Sequence, residues 1–139
     1  MVVDASLIVA LVVADERQAA VQAQLARWVG SGQTLHAPAV LAYEIANVLA
    51  RLAFDGDLTA GDIADTWSDL AELNIASHPF DLTEDGPAIA TITTQLRRRQ
   101  ATDSSYIRLA IKLGIAVWTL DGALARNATD VGLPVNLIA

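Results

Sequence analysis

Four carboxylates stand apart from the other acids of this chain because each lies within or against apolar sequence: Asp4, Glu44, Asp103 and Asp121. Buried carboxylates are rarely tolerated without a partner. The chain has only nine Lys and Arg residues, three of them in one run at Arg97-Arg98-Arg99, so internal salt bridges for all four acids are hard to supply. Hydroxyls accompany the acids. Ser6 follows Asp4 by two residues, and Thr119 precedes Asp121 by two, on the same strand face if the strand alternates with period two. Three or four converging carboxylates with hydroxyls, and without a His or Cys cluster, make a hard-oxygen site suited to Mg²⁺ or Mn²⁺ rather than zinc. Such a site supports metal-assisted hydrolysis of a phosphodiester.

Each residue also has a plainer reading. Asp4 could simply N-cap the helix that follows it. Asp103 could complement a helix dipole, and Asp121 could be a turn residue before Gly122. Glu44 could pair with Arg51 two turns along its own helix. Arg97-Arg98-Arg99 could close a helix, where cations favour the dipole. Arg108 and Lys112 form a basic stripe at i and i+4 that could touch a phosphate backbone, and Arg126 lies four residues beyond Gly122, where it could flank the acids. His36 and His78 read as structural or merely exposed, and Trp28, Trp67 and Trp118 as core or dimer packing.

The elements that must position these groups alternate between strand and helix. Met1 to Val3 reads as a short buried strand ending at Asp4, with a buried helix directly after it. A helix to about Trp28 ends at Gly30-Ser31-Gly32, Thr34 to His36 is a strand, and Pro38 marks entry to a third helix burying Leu41, Ile45, Val48, Leu49 and Leu52. Thr59 opens a helix to about Leu73, and Ile75 to Phe80 is a third strand. A helix starting near Thr83 to Pro87 finishes in the arginine run, and Thr102 caps a sixth helix over Asp103 to Leu113 that stops at Gly114. Ile115 to Leu120 is a strand ending at Asp121, Ala123 to Ala128 a short helix, and Val135 to Ile138 a final strand. This alternation predicts an α/β fold of three layers, α/β/α, with a mostly parallel central sheet. In such sheets ligands bind at the carboxyl ends of the strands, which is where Asp4 and Asp121 fall.

Composition sets the outer limits. The length of 139 residues suits one domain over residues 1–139. Hydrophobic residues at 53% against 18% charged imply a large core, and the lack of cysteine excludes disulfides, thiolate metal sites and cysteine nucleophiles, as suits a cytoplasmic protein. No signal peptide and no membrane-spanning stretch is expected. A net charge of −7 argues against simple electrostatic capture of nucleic acid unless a divalent cation inverts the local field.

Four segments taken together resemble the PIN-domain family, and specifically VapC-type ribonuclease toxins: VVDASLIVAL at the start, AYEIANVLAR around Glu44, ATDSSYIRLAIKLG around Asp103 and WTLDGALARNA around Asp121. The resemblance runs through essentially the whole chain, in order. Two departures are Thr102-Asp103-Ser104-Ser105, where relatives often carry an aromatic before the Asp and Ala after it, and the arginine run with Gln100, where many have a small polar turn. Neither removes an acid, so both bear on substrate or partner contacts more than on catalysis. The resemblance implies a cytoplasmic, metal-dependent endoribonuclease acting on structured RNA such as tRNA or rRNA. It also implies a homodimer inhibited by a cognate VapB-type antitoxin. By correspondence of motifs, Asp4, Glu44, Asp103 and Asp121 would hold Mg²⁺ or Mn²⁺, with Ser6 and Thr119 as accessory hydroxyls and Asn47 orienting Glu44 or a water. Arg108, Lys112 and Arg126 would then be available for RNA or antitoxin.

Other functions fit less well. A haloacid-dehalogenase-like phosphatase wants an acid where this chain has Ser6, and a lysine after the later motif, whereas Lys112 is the only lysine and precedes Gly114. A receiver-like module wants paired acids after its first strand. A catalytically inactive PIN-like binding module would be expected to have lost at least one of the four acids.

Overall fold

A computed structural model of the chain describes residues 1–138. Five parallel strands form one sheet in the order β3-β2-β1-β4-β5, with β1 at Val2–Val3, β2 at His36–Pro38, β3 at Ala76–His78, β4 at Val117–Thr119 and β5 at Val135–Leu137. Seven helices cover the sheet in a three-layer α/β/α arrangement: α1 (Ala5–Val12), α2 (Gln18–Gly30), α3 (Val40–Phe54), α4 (Ala60–Ala71), α5 (Asp85–Gln95), α6 (Thr102–Leu113) and α7 (Gly122–Asp130). β1 is wholly buried, as its two valines require, and it is the central strand. From β1 the chain winds outward through β2 to β3, then returns to β1's other side with β4. The crevice outside the carboxyl ends of β1 and β4 is therefore the switch point of the sheet, where open α/β folds present ligand sites. The register pairs Val3 with Trp118, which sets Asp4 beside the end of β4.

The core draws on all layers. Leu7 and Ile8 of α1, Val21 and Leu25 of α2, Leu49 of α3 and Ile107 of α6 are buried against the sheet. α1 contacts α2, α3 and β4, while α6 rests on β1, β2 and α5. Trp28 and Trp118 pack with ring centroids 5.3 Å apart, and Trp67 lines an apolar groove with Leu41, Ile45 and Leu70. His36 Nδ1 and His78 Nε2 lie 2.9 Å apart across neighbouring strands, a structural pair.

Several boundaries differ from the sequence expectation. β2 spans His36–Pro38 rather than Thr34 to His36, so Pro38 closes a strand instead of opening α3. β3, β4 and β5 are each three residues long, shorter than the runs Ile75 to Phe80, Ile115 to Leu120 and Val135 to Ile138 expected. α5 stops at Gln95, so the arginine run lies beyond the helix rather than closing it. Thr102 belongs to α6 itself, whose flanking residue Ala101 makes no side-chain cap. Thr59 behaves as its type suggests, forming a reciprocal capping box with Asp62. No helix among the described residues is long and apolar enough to cross a membrane.

Candidate functional site

Asp4 is the anchor of the site, only 6% exposed. It N-caps α1, taking the amide of Ser6 on Oδ1 at 2.9 Å, so its capping and its functional placement coincide. The Ser6 hydroxyl donates to the same oxygen, and Thr119 Oγ1 donates to Oδ2 at 2.5 Å. Both hydroxyls are in turn held by backbone: Leu120 N–H donates to Ser6 Oγ at 2.9 Å, and Asp121 N–H donates to Thr119 Oγ1 at 3.0 Å. The accessory hydroxyls expected from sequence thus lock a carboxylate between the ends of β1 and β4. Burial pushes the Asp4 carboxyl above its ordinary range, opposed by these donors.

Glu44 comes from α3 and faces α6, where the Tyr106 hydroxyl donates to Oε1 at 2.6 Å. Burial raises the Glu44 pKa, Tyr106 opposes that, and the charges of Asp4 and Asp103 add to it. Tyr106 was invisible as a site residue in the sequence because it reads as one more apolar position of α6. Asn47, expected to orient Glu44 or a water, is exposed and makes no hydrogen bond to Glu44 among the described residues; the Glu44 carboxylate is held instead by Tyr106 from α6. Arg51 forms no ion pair with Glu44 among the described residues.

Asp103 sits in the first turn of α6 without capping it. Burial raises its pKa, Arg98 lowers it, and Asp121 raises it. Arg98 Nη1 stands 3.8 Å from Asp103 Oδ2, too far for a hydrogen bond. Asp121 N-caps α7, its Oδ1 taking the amides of Ala123 at 2.9 Å and Leu124 at 3.0 Å, which leaves Oδ2 uncommitted among the described residues. The four acids therefore form a series of mutually repelling neighbours, Asp4 to Glu44, Glu44 to Asp103, and Asp103 to Asp121. Glu44 and Asp103 wall a cleft of about 400 Å³ together with Arg98, Arg99, Gln100 and Thr102.

Two of the three basic residues assigned from sequence have other occupations. Arg108 Nε donates to Asp85 Oδ1 at 2.9 Å, and Lys112 Nζ reaches the same carboxylate at 3.1 and 3.2 Å. The stripe at i and i+4 faces α5, where Asp85 is fully enclosed, so these cations tie two helices together. Arg126 folds back over the start of α7, its Nη1 near the place a Gly122 Cβ would occupy, next to Asp121.

Among the described residues no three acids gather closely enough to cage one ion. Mg²⁺ does not require that, since it is commonly held by one or two carboxylates, waters and substrate phosphate. The donor set here is all hard oxygen, and its desolvated, mutually repelling charges are of the kind a divalent cation neutralises.

A family model described as PIN domain matches residues 1–129. The chain is 33% identical over 134 residues to Ribonuclease VapC3 of Pyrobaculum aerophilum, covering 91% of this chain and 93% of that protein. It is 32% identical over 127 residues to Ribonuclease VapC3 of Mycobacterium tuberculosis, covering 91% and 85% respectively. Among solved structures, its fold is similar to the crystal structure of PAE2754 from Pyrobaculum aerophilum, with a TM-score of 0.65 at 20% identity over 91% of this chain and 77% of that one.

Proposed function

Since this chain belongs to the PIN domain family, we propose that it is a divalent-metal-dependent endoribonuclease, the toxin of a VapBC-type pair, acting on structured RNA such as tRNA or rRNA in the cytoplasm. The observation that carries the reading is the locked, buried Asp4 at the switch point of the sheet, with Asp4 and Asp103 near enough to add to the raised pKa of Glu44. A cognate VapB-type antitoxin is the partner, and the active form is a homodimer.

Asp4, Glu44, Asp103 and Asp121 are the residues that would hold Mg²⁺ or Mn²⁺. When bound, the ion activates a water and neutralises charge on the scissile phosphate. The chain's own contribution is orientation. Ser6 and Thr119 fix both oxygens of Asp4, Tyr106 fixes one oxygen of Glu44, and the α7 amides fix one oxygen of Asp121. Burial of Asp4 limits the water that could compete for its oxygens, which strengthens its electrostatic hold.

The reading is tested by incubating the purified chain with total tRNA and rRNA in Mg²⁺ and in EDTA. Cleavage in the first and none in the second is expected. Intact RNA in both, from folded protein, overturns it in favour of an RNA-inactive binding module.

Tyr106→Phe is expected to keep the fold and lower kcat about tenfold, in the range for losing a group that orients a ligand. The hydroxyl lowers the Glu44 pKa, so without it that pKa rises and the acid limb of the pH profile moves to higher pH. A pH–rate series on both proteins checks this.

Asp103→Asn removes a carboxylate whose ionisation burial opposes and whose one ion-pair partner among the described residues is 3.8 Å away. In EDTA it should melt at or above wild type. Binding of an ion to the native state adds about 2.7 kcal/mol at a hundredfold excess over Kd, so millimolar Mn²⁺ should raise the wild-type Tm by about 5 °C or more, and Asp103→Asn by less. Melting curves in EDTA and Mn²⁺ decide it. A clear loss of stability in EDTA would assign Asp103 to the fold instead.

A further inference from the structure

We propose that Arg98 and Arg99 seat a phosphate of the RNA strand beside Glu44 and Asp103, as positioning residues; this deepens the ribonuclease reading and rests on it. The two arginines leave the end of α5 on a rigid turn. Leu96 is buried beneath it, and the amides of Arg97 and Arg98 donate to the carbonyls of Thr94 and Thr93 at 3.0 and 3.1 Å. Arg97 takes a left-handed φ of 53°, a conformation that favours glycine and that a side-chain-bearing residue adopts only at a cost. The turn thus keeps an arginine where glycine would be easier, and it delivers the next two into the cleft walled by Glu44 and Asp103.

Within that cleft the Arg98 guanidinium is underused. Its nearest acid, Asp103, is beyond hydrogen-bond length, and its donors meet no hydrogen-bond acceptor among the described residues. Arg98 also lines a second cleft of about 450 Å³ that reaches Asn127 of α7, so one side chain stands between two adjoining polar hollows. Three other cations are committed to acids: Arg17 to Asp15, and Arg108 and Lys112 to Asp85. On a protein of net charge −7, the consecutive arginines are the place where a polyanion meets concentrated positive charge. A planar guanidinium fork with free donors matches two phosphate oxygens, which a weak contact to Asp103 cannot outcompete.

The test measures binding of a fluorescein-labelled RNA hairpin by anisotropy in EDTA over a salt series, and cleavage of the same hairpin in Mg²⁺. For the Arg98→Ala/Arg99→Ala double variant, Kd should rise about tenfold or more. The slope of log Kd on log salt should fall by about 0.7, the value for one lost single-strand phosphate contact. KM should rise with kcat little changed. Arg98→Lys/Arg99→Lys should keep the salt slope while losing part of the affinity, and Arg51→Ala should match wild type. A double variant with wild-type Kd and slope, while wild type cleaves, overturns the proposal and leaves the ribonuclease reading standing. The same holds if only its melting temperature moves, which would reduce the arginines to counter-ions of Asp103, or if it loses an acidic peptide partner but keeps RNA. Wild-type protein that neither binds nor cleaves overturns both.

Discussion

Asp4→Asn is expected to reduce RNA cleavage by more than about 100-fold, the upper range for groups that merely support a metal ligand, while the protein stays folded. The stability half of this expectation comes from the hydrogen bonds. Asn caps a helix as well as Asp does, so α1 keeps its start. One carboxylate oxygen becomes an amide donor facing Ser6 or Thr119, and either hydroxyl can rotate to accept. The buried negative charge disappears, which removes a desolvation cost that the native chain bears. What is lost is a hard, charged oxygen at the switch point of the sheet. Cleavage rates in Mg²⁺ beside melting curves separate the two effects. Folded Asp4→Asn that cleaves at the wild-type rate would remove Asp4 from the site.

The second large effect is on stability and lies away from the acids. Asp85→Ala should lower the Tm by an amount on the order of 10 °C, because it strands two cations and an amide. Asp85 is fully enclosed and accepts the Asp81 amide at 2.8 Å, Arg108 Nε and Lys112 Nζ. The Asp81 amide, then Arg108 and Lys112, hold its carboxyl down to about 2. A depressed pKa means that the unfolded chain binds the proton first as pH falls. The stabilisation is therefore complete above the ordinary carboxylate value near 4 and is lost progressively towards about pH 2. Asp4, Glu44 and Asp103 have raised values and act in the opposite sense: their contribution is greatest at low pH and declines as pH rises through those values. In EDTA, the Tm of wild type should thus rise as pH drops from neutral, then fall below pH 4. In Asp85→Ala the rise should persist and the steep fall should weaken. Thermal scans across pH read both limbs.

The acids were legible in the sequence because a carboxylate flanked by valine, leucine and isoleucine needs a reason to be there. Their elements were legible for the same cause: apolar period and capping residues placed β1, α1, α3, α6 and β4 close to where they lie. What sequence missed depends on packing between distant segments. Asp85 sits in Thr83-Glu84-Asp85-Gly86-Pro87, a polar run that reads as solvent-facing, and only the approach of α6 encloses it. The same approach turned Arg108 and Lys112 from free cations into structural ones, and it brought Tyr106 to Glu44. The register of β2, and with it the role of Pro38, is fixed by its pairing with β3, which begins 38 residues after Pro38, not by the local residues.

The bond from Thr119 to Asp4 joins positions 115 residues apart. In synthesis Asp4 precedes Thr119, the donor that completes its surroundings, by those 115 residues. Until β4 docks beside β1, the first acid lacks its Thr119 donor, and Asp121 does not yet exist beside it. Contacts of such long separation form late and slowly. The surroundings of Asp4 are therefore incomplete until β4 has been made and has docked beside β1.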